Sequence, residues 1–294
     1  MNNLLGSGDF RVTNTDESSG VVRVVLNNEA WDSEPANTLL EGSISAGKAV
    51  QLVKTGDGTL TVGGSLTADW LEIDDSTLRL TEQGNQVTSL HGDGSLELEG
   101  SLEISGNSLG FSGTLNGSGS LELNGALPAR GEVGALSGNG SLMSAGETFT
   151  VQNVQDSTFS GSLSEGNGAG VLTVMQGAGT FTLQQVQTSP AWSLQNQGNL
   201  ILHLTDNALS LNKLELLDTS STTIVLNTDE DVKVFSLSSL LVQDGAAVTL
   251  QSTGTLPLSC LKMAPWLWDR WKVQIWAPML RCRSRSGVVR YFRE

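Results

Sequence analysis

A short unit recurs along this chain: two glycines bracketing one residue, then serine or threonine, then apolar and polar positions in alternation. It reads Gly56-Asp-Gly-Thr-Leu-Thr-Val62, Gly92-Asp-Gly-Ser-Leu-Glu-Leu98, Gly117-Ser-Gly-Ser-Leu-Glu-Leu123 and Gly177-Ala-Gly-Thr-Phe-Thr-Leu183. Gly138-Asn-Gly-Ser-Leu142 is a shortened copy and Asp244-Gly-Ala-Ala-Val-Thr-Leu250 a decayed one. The glycines supply the positive φ that a tight turn demands, and the Leu-x-Leu behind them points two side chains to one face of a strand. The same alternation fills the intervals, as in Leu71-Glu-Ile73, Leu102-Glu-Ile104, Leu172-Thr-Val174 and Leu200-Ile-Leu-His-Leu204. Strands this short, with almost no helical periodicity between them, predict an all-β body. Successive glycine units start 36, 25, 21 and 39 residues apart. Those spacings suit coils of roughly 20 residues in which some turns have lost the signature.

Each strand must bury its apolar side, and two architectures do so. A sandwich pairs strands of about 5 to 6 residues and usually fills its core with large aromatics. A β-solenoid stacks each coil on the last at about 4.8 Å, so that like residues form ladders along an axis. Residues 1–259 contain only six Phe and three Trp, and Leu and Val suit a narrow solenoid interior better. About 12 such coils would give a rod about 55 to 60 Å long.

Composition breaks near residue 259. Residues 1–259 hold 8 Lys and Arg against 29 Asp and Glu, whereas 260–294 hold 8 against 2. The tail also has Trp266, Trp268, Trp271, Trp276, both cysteines (Cys260, Cys282) and Tyr291. The expected organisation is therefore a solenoid body, 1–259, followed by a basic, Trp-rich tail, 260–294, irregular or weakly helical. Trp268, Trp271 and Ile275 fall at helical spacing. One reading of the tail is an interfacial or partner anchor. The other is a non-native or frame-shifted end, because Arg270 and Lys272 interrupt any clean apolar stripe. An acidic body disfavours nucleic acid, whose binding rests on Lys and Arg. No run approaches the ~18 apolar residues of a transmembrane segment, and the start lacks the pattern of a signal peptide.

At Leu52-Val-Lys-Thr-Gly-Asp-Gly-Thr-Leu-Thr-Val-Gly-Gly64 the sequence resembles the autotransporter-associated β-strand repeat, and residues 92–100, 117–125 and 177–183 look like weaker copies. The resemblance implies a fragment of a bacterial autotransporter passenger. Its fold would be a right-handed parallel β-helix (β-solenoid), held at the cell surface or outside the cell and often adhesive. The family's export signal and outer-membrane β-barrel have no counterpart in the sequence.

Several constellations invite a chemical reading. Asp57 and Asp93 lie in Gly-Asp-Gly turns of the kind that hold calcium in tandem nonapeptide rolls, but 36 residues separate them, so water-facing turn aspartates are expected and no metal is assigned. Glu72, Asp74 and Asp75, and again Asp229, Glu230 and Asp231, could supply paired carboxylates for glycoside cleavage. Alternation instead places most acids on outward positions, and the body has few basic residues to hold an anionic sugar. His91 and His203 are too isolated for a metal triad, and no nucleotide loop or cofactor motif occurs. Expectation therefore falls on a non-enzymatic surface that binds glycans, a host or neighbouring cell, or a copy of itself through additive weak contacts. Trp31, Trp70 and Trp192 are its candidate ligand contacts, because an exposed indole is a natural sugar platform. A β-helical polysaccharide-degrading enzyme and a truncated product without retained function are the competing classes.

Overall fold

The computed structural model describes residues 4–15, 20–29, 36–184, 186–204, 209–217, 219–226, 235–243, 245–252 and 274–276. Among these, strands are the only regular elements, and no helix is long and apolar enough to cross a membrane. Every strand-to-strand pairing is parallel. The strands stack into four ladders: a first of eight strands, a second of eleven, a third of four and a fourth of six. The chain is a parallel β-solenoid.

One circuit shows how a coil is made. Strand Ser101–Ile104 lies in the first ladder, Thr114–Asn116 in the second, and Ser120–Leu123 returns to the first, one rung above its predecessor. Leu102 pairs with Leu121 and Ile104 with Leu123, so inward residues stack on inward residues. Glu103 pairs with Glu122 on the outside. The second ladder does the same through Leu60, Leu78 and Leu96, all fully buried. A one-residue slip would turn every leucine outward, so alternation fixes the register.

The coils are unequal in length. Leu78 and Leu96 are 18 residues apart, Leu121 and Leu136 are 15, Phe149 and Leu172 are 23, and Leu214 and Leu240 are 26. Coil length sets the girth of the rod. Phe149, Phe159, Phe181 and Trp192, all fully buried, fill the wider section after residue 145. The interior is lined mainly by Leu and Val throughout the described residues, with these aromatics added among them where the girth grows.

The glycine unit is a corner and does not mark one coil. The copies at Gly56 and Gly92 lead into the second ladder, at Gly117 into the first, at Gly138 into the third and at Gly177 into the fourth. Its spacings are irregular because it moves from face to face. Gly92 shows the reason for the residue: its φ is 92°, and a Cβ there would run into the Ile73 carbonyl of the coil below. Both the turn and the stacking demand a missing side chain.

Buried amides secure other corners. Asn85 donates from Nδ2 to the carbonyls of Glu82 (2.6 Å) and Ser101 (2.8 Å), and its Oδ1 accepts the Leu66 N–H (2.8 Å), tying three successive coils. Asn196 donates to Thr222 Oγ1 (2.8 Å) and accepts from Gly198 N–H (3.0 Å). Asn153, at φ 62°, donates to the Gly179 carbonyl (2.7 Å). Each amide satisfies backbone groups that a turn takes out of the ladder.

Of the tail, only Gln274–Trp276 is described. It adds a strand to the end of the fourth ladder, with Thr249 opposite Gln274 and Leu250 opposite Ile275. Where helical spacing was expected at Ile275, that residue lies in extended chain. Trp268 and Trp271 lie outside the described residues.

Lys54, the lysine of the repeat-like segment, is buried, and its Nζ donates to the carbonyls of Thr55 (2.8 Å) and Gly58 (2.9 Å). Burial pushes its pKa down from 10.5 to about 8. Between these values the unfolded chain holds the proton more tightly, so this group makes stability rise with pH from about 8 to about 10.5. Denaturant unfolding across that window should show a gain in the wild type that Lys54→Met lacks.

Candidate ligand-binding groove

The three tryptophans expected as ligand contacts differ in placement: Trp192 is buried and Trp70 is half-buried. Trp192 opens strand Trp192–Asn196, is fully buried, and donates from its indole Nε1 to the Ser164 carbonyl (2.8 Å). It belongs to the core and offers no face to a sugar, which corrects its reading as a contact residue. The signal against it was local: Trp192-Ser-Leu194 puts the indole in phase with an inward leucine. Trp31 lies outside the described residues, as do Asp229 and Glu230.

Trp70 is half-buried on the outer side of strand Leu66–Ile73 and is stacked on His91, ring centroids 3.6 Å apart and planes inclined by 10°. Its Nε1 donates to Glu72 Oε2 (3.4 Å), and Arg23 pairs with Glu72 (3.3 Å) and Asp74 (3.8 Å). Gly110 presses against the His91 ring and would clash with it if it carried a Cβ. Burial lowers the His91 pKa, partly offset by the Glu72 charge, and burial with Glu72 beside it raises that of Asp74. One face of Trp70 is thus occupied by a histidine and its polar edge by a carboxylate. The Glu72 and Asp74 carboxylates share one cation, Arg23.

Asp93 in its Gly-Asp-Gly turn accepts the Asp75 N–H at 3.0 Å, which is turn chemistry. Among the described residues no group of three or more His, Cys, Asp or Glu is placed to hold a metal. His203 sits half-buried in strand Asn199–Leu204, beside Gln184 and Val225 on the neighbouring rungs.

A concave feature of the rod lies elsewhere, and residue types alone did not point to it. Coil length did. The 15-residue coil between Leu121 and Leu136 is flanked by a coil of 19 residues, Leu102 to Leu121, and then by one of 21, Leu142 to Leu163. A short coil between longer ones makes a waist. There a groove of about 860 Å³ opens on the outer surface, with the small residues Ala135 and Ser137 in its lining. That volume lies within the range of ligand clefts, ~300–1,000 Å³.

Register orders its polar lining. Gln86, Glu103, Glu122 and Ser137 occupy one outward row on successive rungs of the first ladder. Across the bridge Gly138↔Phe159 the row continues in Thr158, Thr182 and Ile201 of the fourth ladder. Six rung spacings make this row about 29 Å long, parallel to the axis. Ser101 and Ser120 run beside it, paired with each other and then with Ala135. Asn124 Nδ2 donates to Glu103 Oε1 (3.3 Å) and Glu122 Oε1 (3.1 Å), and Gln86 Nε2 donates to Glu103 Oε2 (3.3 Å). Two residues before Thr158, Asp156 Oδ1 accepts the Thr180 N–H (2.8 Å), and Ser157, opposite the inward Phe181, has a buried Oγ without a hydrogen-bond partner.

Such a groove can hold an extended, hydroxyl-rich chain by hydrogen bonds at its polar rungs. No family model, curated protein or solved structure matches the chain.

Trp192→Ala should lower stability by about 3–5 kcal/mol, the range for emptying a buried aromatic site. Trp70→Ala, which opens no closed cavity, should cost less than half as much. Chemical denaturation of the two variants beside the wild type measures the difference.

Proposed function

We propose that this protein is a non-enzymatic, surface-displayed or secreted rod of the autotransporter-passenger type, which binds a linear glycan lengthwise in the groove at its waist. The observation that carries this reading is the outward row from Gln86 to Thr182, a strip of amide, carboxylate and hydroxyl groups aligned with the rod axis inside a concavity of ligand size. The repeat-like segment at 52–64, folded here as a parallel coil with its lysine buried at the corner, supports the passenger-type reading. Adhesion is the role that a long, rigid, repetitive surface serves through many weak contacts.

The arrangement of carboxylates favours binding over cleavage. Glycoside hydrolysis uses two carboxyl groups on either side of the scissile bond. Glu103 and Glu122 instead stand on adjacent rungs of one wall, joined by Asn124. Asp156, two residues before Thr158 of the same row, is occupied by a backbone N–H.

A panel of immobilised linear polysaccharides, probed with wild-type protein and with Ser137→Trp, tests the reading. The indole would fill the waist without touching the core. Binding to at least one linear glycan, weakened tenfold or more in the variant at unchanged melting temperature, is expected. Equal binding by the two proteins, or release of new reducing or unsaturated ends, would overturn it.

A further inference from the structure

The outward row that crosses the groove does not stop at its end. Past Ile201 it continues in register through Thr223 and Thr249 of the fourth ladder. Ser137, Thr158, Thr182, Ile201, Thr223 and Thr249 thus stand on six successive rungs, a run of about 24 Å. A second row lies beside it, two residues earlier on each strand: Thr180, Asn199, Ser221 and Ala247. None of the six strands of the fourth ladder contains Asp, Glu, Lys or Arg, although the body is acidic. Asp156, just ahead of the first of them, is turned to the Thr180 N–H. Among the described residues, the hydroxyls of Thr158, Thr182, Thr223 and Thr249 make no hydrogen bond within the protein. The other end of the groove differs, because there Gln86 is followed by Glu103 and Glu122. An uncharged chain laid over those carboxylates would strip their water and supply no cation, whereas a threonine hydroxyl that gains a hydrogen bond loses little. The run from Ser137 to Thr249 is therefore the cheaper berth for a neutral polymer.

We propose, resting on the glycan-groove reading above, that the ligand is an uncharged, extended β-1,4-linked polysaccharide that enters at the waist and runs on along the fourth ladder. Such a chain is a straight ribbon that advances by close to one rung for each sugar, so successive sugars meet successive residues of the row. Its equatorial hydroxyls meet the hydroxyls of Thr158, Thr182, Thr223 and Thr249, and its C–H faces meet the threonine methyls and Ile201. An α-1,4-linked glucan coils and would leave the straight row after a few sugars. A polyanion finds no Lys or Arg along this run, and a polycation finds no carboxylate in its strands. The pocket at the waist is then only the first part of a longer track, whose contacts add rung by rung.

Calorimetry with the full chain and four probes tests the track: cellotriose, cellohexaose, maltohexaose and an oligoglucuronate. Cellohexaose should bind at least about tenfold tighter than cellotriose, equivalent to about 1.4 kcal/mol, and its affinity should not change with salt, since no ion pair forms. Thr223 lies outside the pocket, so Thr223→Trp should remove the advantage of the longer chain and leave cellotriose binding as it was, whereas Ser137→Trp should weaken both. Should Thr223→Trp fold poorly, the chain-length and salt dependence of the wild type decide. Equal affinity for the two cello-oligomers, with both blocked by Ser137→Trp, would overturn the track and leave the groove reading standing. So would a failure of both to bind while another linear polysaccharide binds and is blocked by Ser137→Trp. Binding that Ser137→Trp does not affect would count against the groove reading as well. Maltohexaose or oligoglucuronate binding as tightly as cellohexaose, or a length advantage untouched by Thr223→Trp, would also contradict the proposal.

Discussion

Parallel stacking of one backbone coil on the next is the constraint on which everything else in this molecule depends. At about 4.8 Å per rung, each inward side chain must meet its like above and below, and each corner must bring two backbones into near contact. The interior answers the first demand with ladders such as Leu60, Leu78 and Leu96. The corners answer the second with glycine at positions such as Gly92, where any side chain would collide with the coil beneath, and with buried asparagines such as Asn85, whose amide reaches the coils on both sides. Local alternation and global stacking select the same residues, so the sequence is consistent with its fold at both levels.

Girth is the second variable, and it links architecture to the site. A coil closes on itself whatever its length, provided its inward residues fill the space. Where the chain spends 15 residues on a circuit, the outward position is held by the small Ser137 beside a buried Ala135, and the rod narrows. Where it spends 23, the phenylalanines at 149 and 181 and the indole of Trp192 occupy the interior. The groove is the geometric consequence of that change in girth, and its chemistry is set by which residues stand on the outward row. On the outer surface Arg23 pairs with Glu72 and Asp74, Arg79 with Glu97 and Lys213 with Glu215, while Glu103 and Glu122 accept from the amide of Asn124.

Much of the fold was legible in the sequence because Leu-x-Leu after Gly-x-Gly-Ser/Thr encodes a corner and the strand leaving it. The solenoid follows from that pattern together with the scarcity of aromatics. What the pattern could not reveal was which face each corner serves. The copies at Gly92 and Gly117 look alike, yet one opens a strand of the second ladder and the other a strand of the first. The lateral register of distant coils, and hence coil length, emerges only from the stacking, so the waist and its groove were invisible. Tryptophan was a poor guide to a site: Trp192 shares the phase of an inward leucine and fills the core, and Trp70 is committed to His91 and Glu72. The extended Gln274–Trp276 strand was hidden by tail residues whose spacing imitates a helix.

Cysteine cross-linking tests the stacking most directly, in a chain whose Cys260 and Cys282 have been changed to serine. Ser101 and Ser120 lie on adjacent rungs, while Ser101 and Ala135 are two rungs apart. Disulfides need Cα atoms within about 7 Å, a limit met by one rung of about 4.8 Å and exceeded by two. The pair Ser101→Cys with Ser120→Cys should oxidise to an intramolecular disulfide in the folded protein, and the pair Ser101→Cys with Ala135→Cys should remain as free thiols. Ready bridging of the second pair, or no bridging of the first under oxidising conditions, would contradict a solenoid in this register.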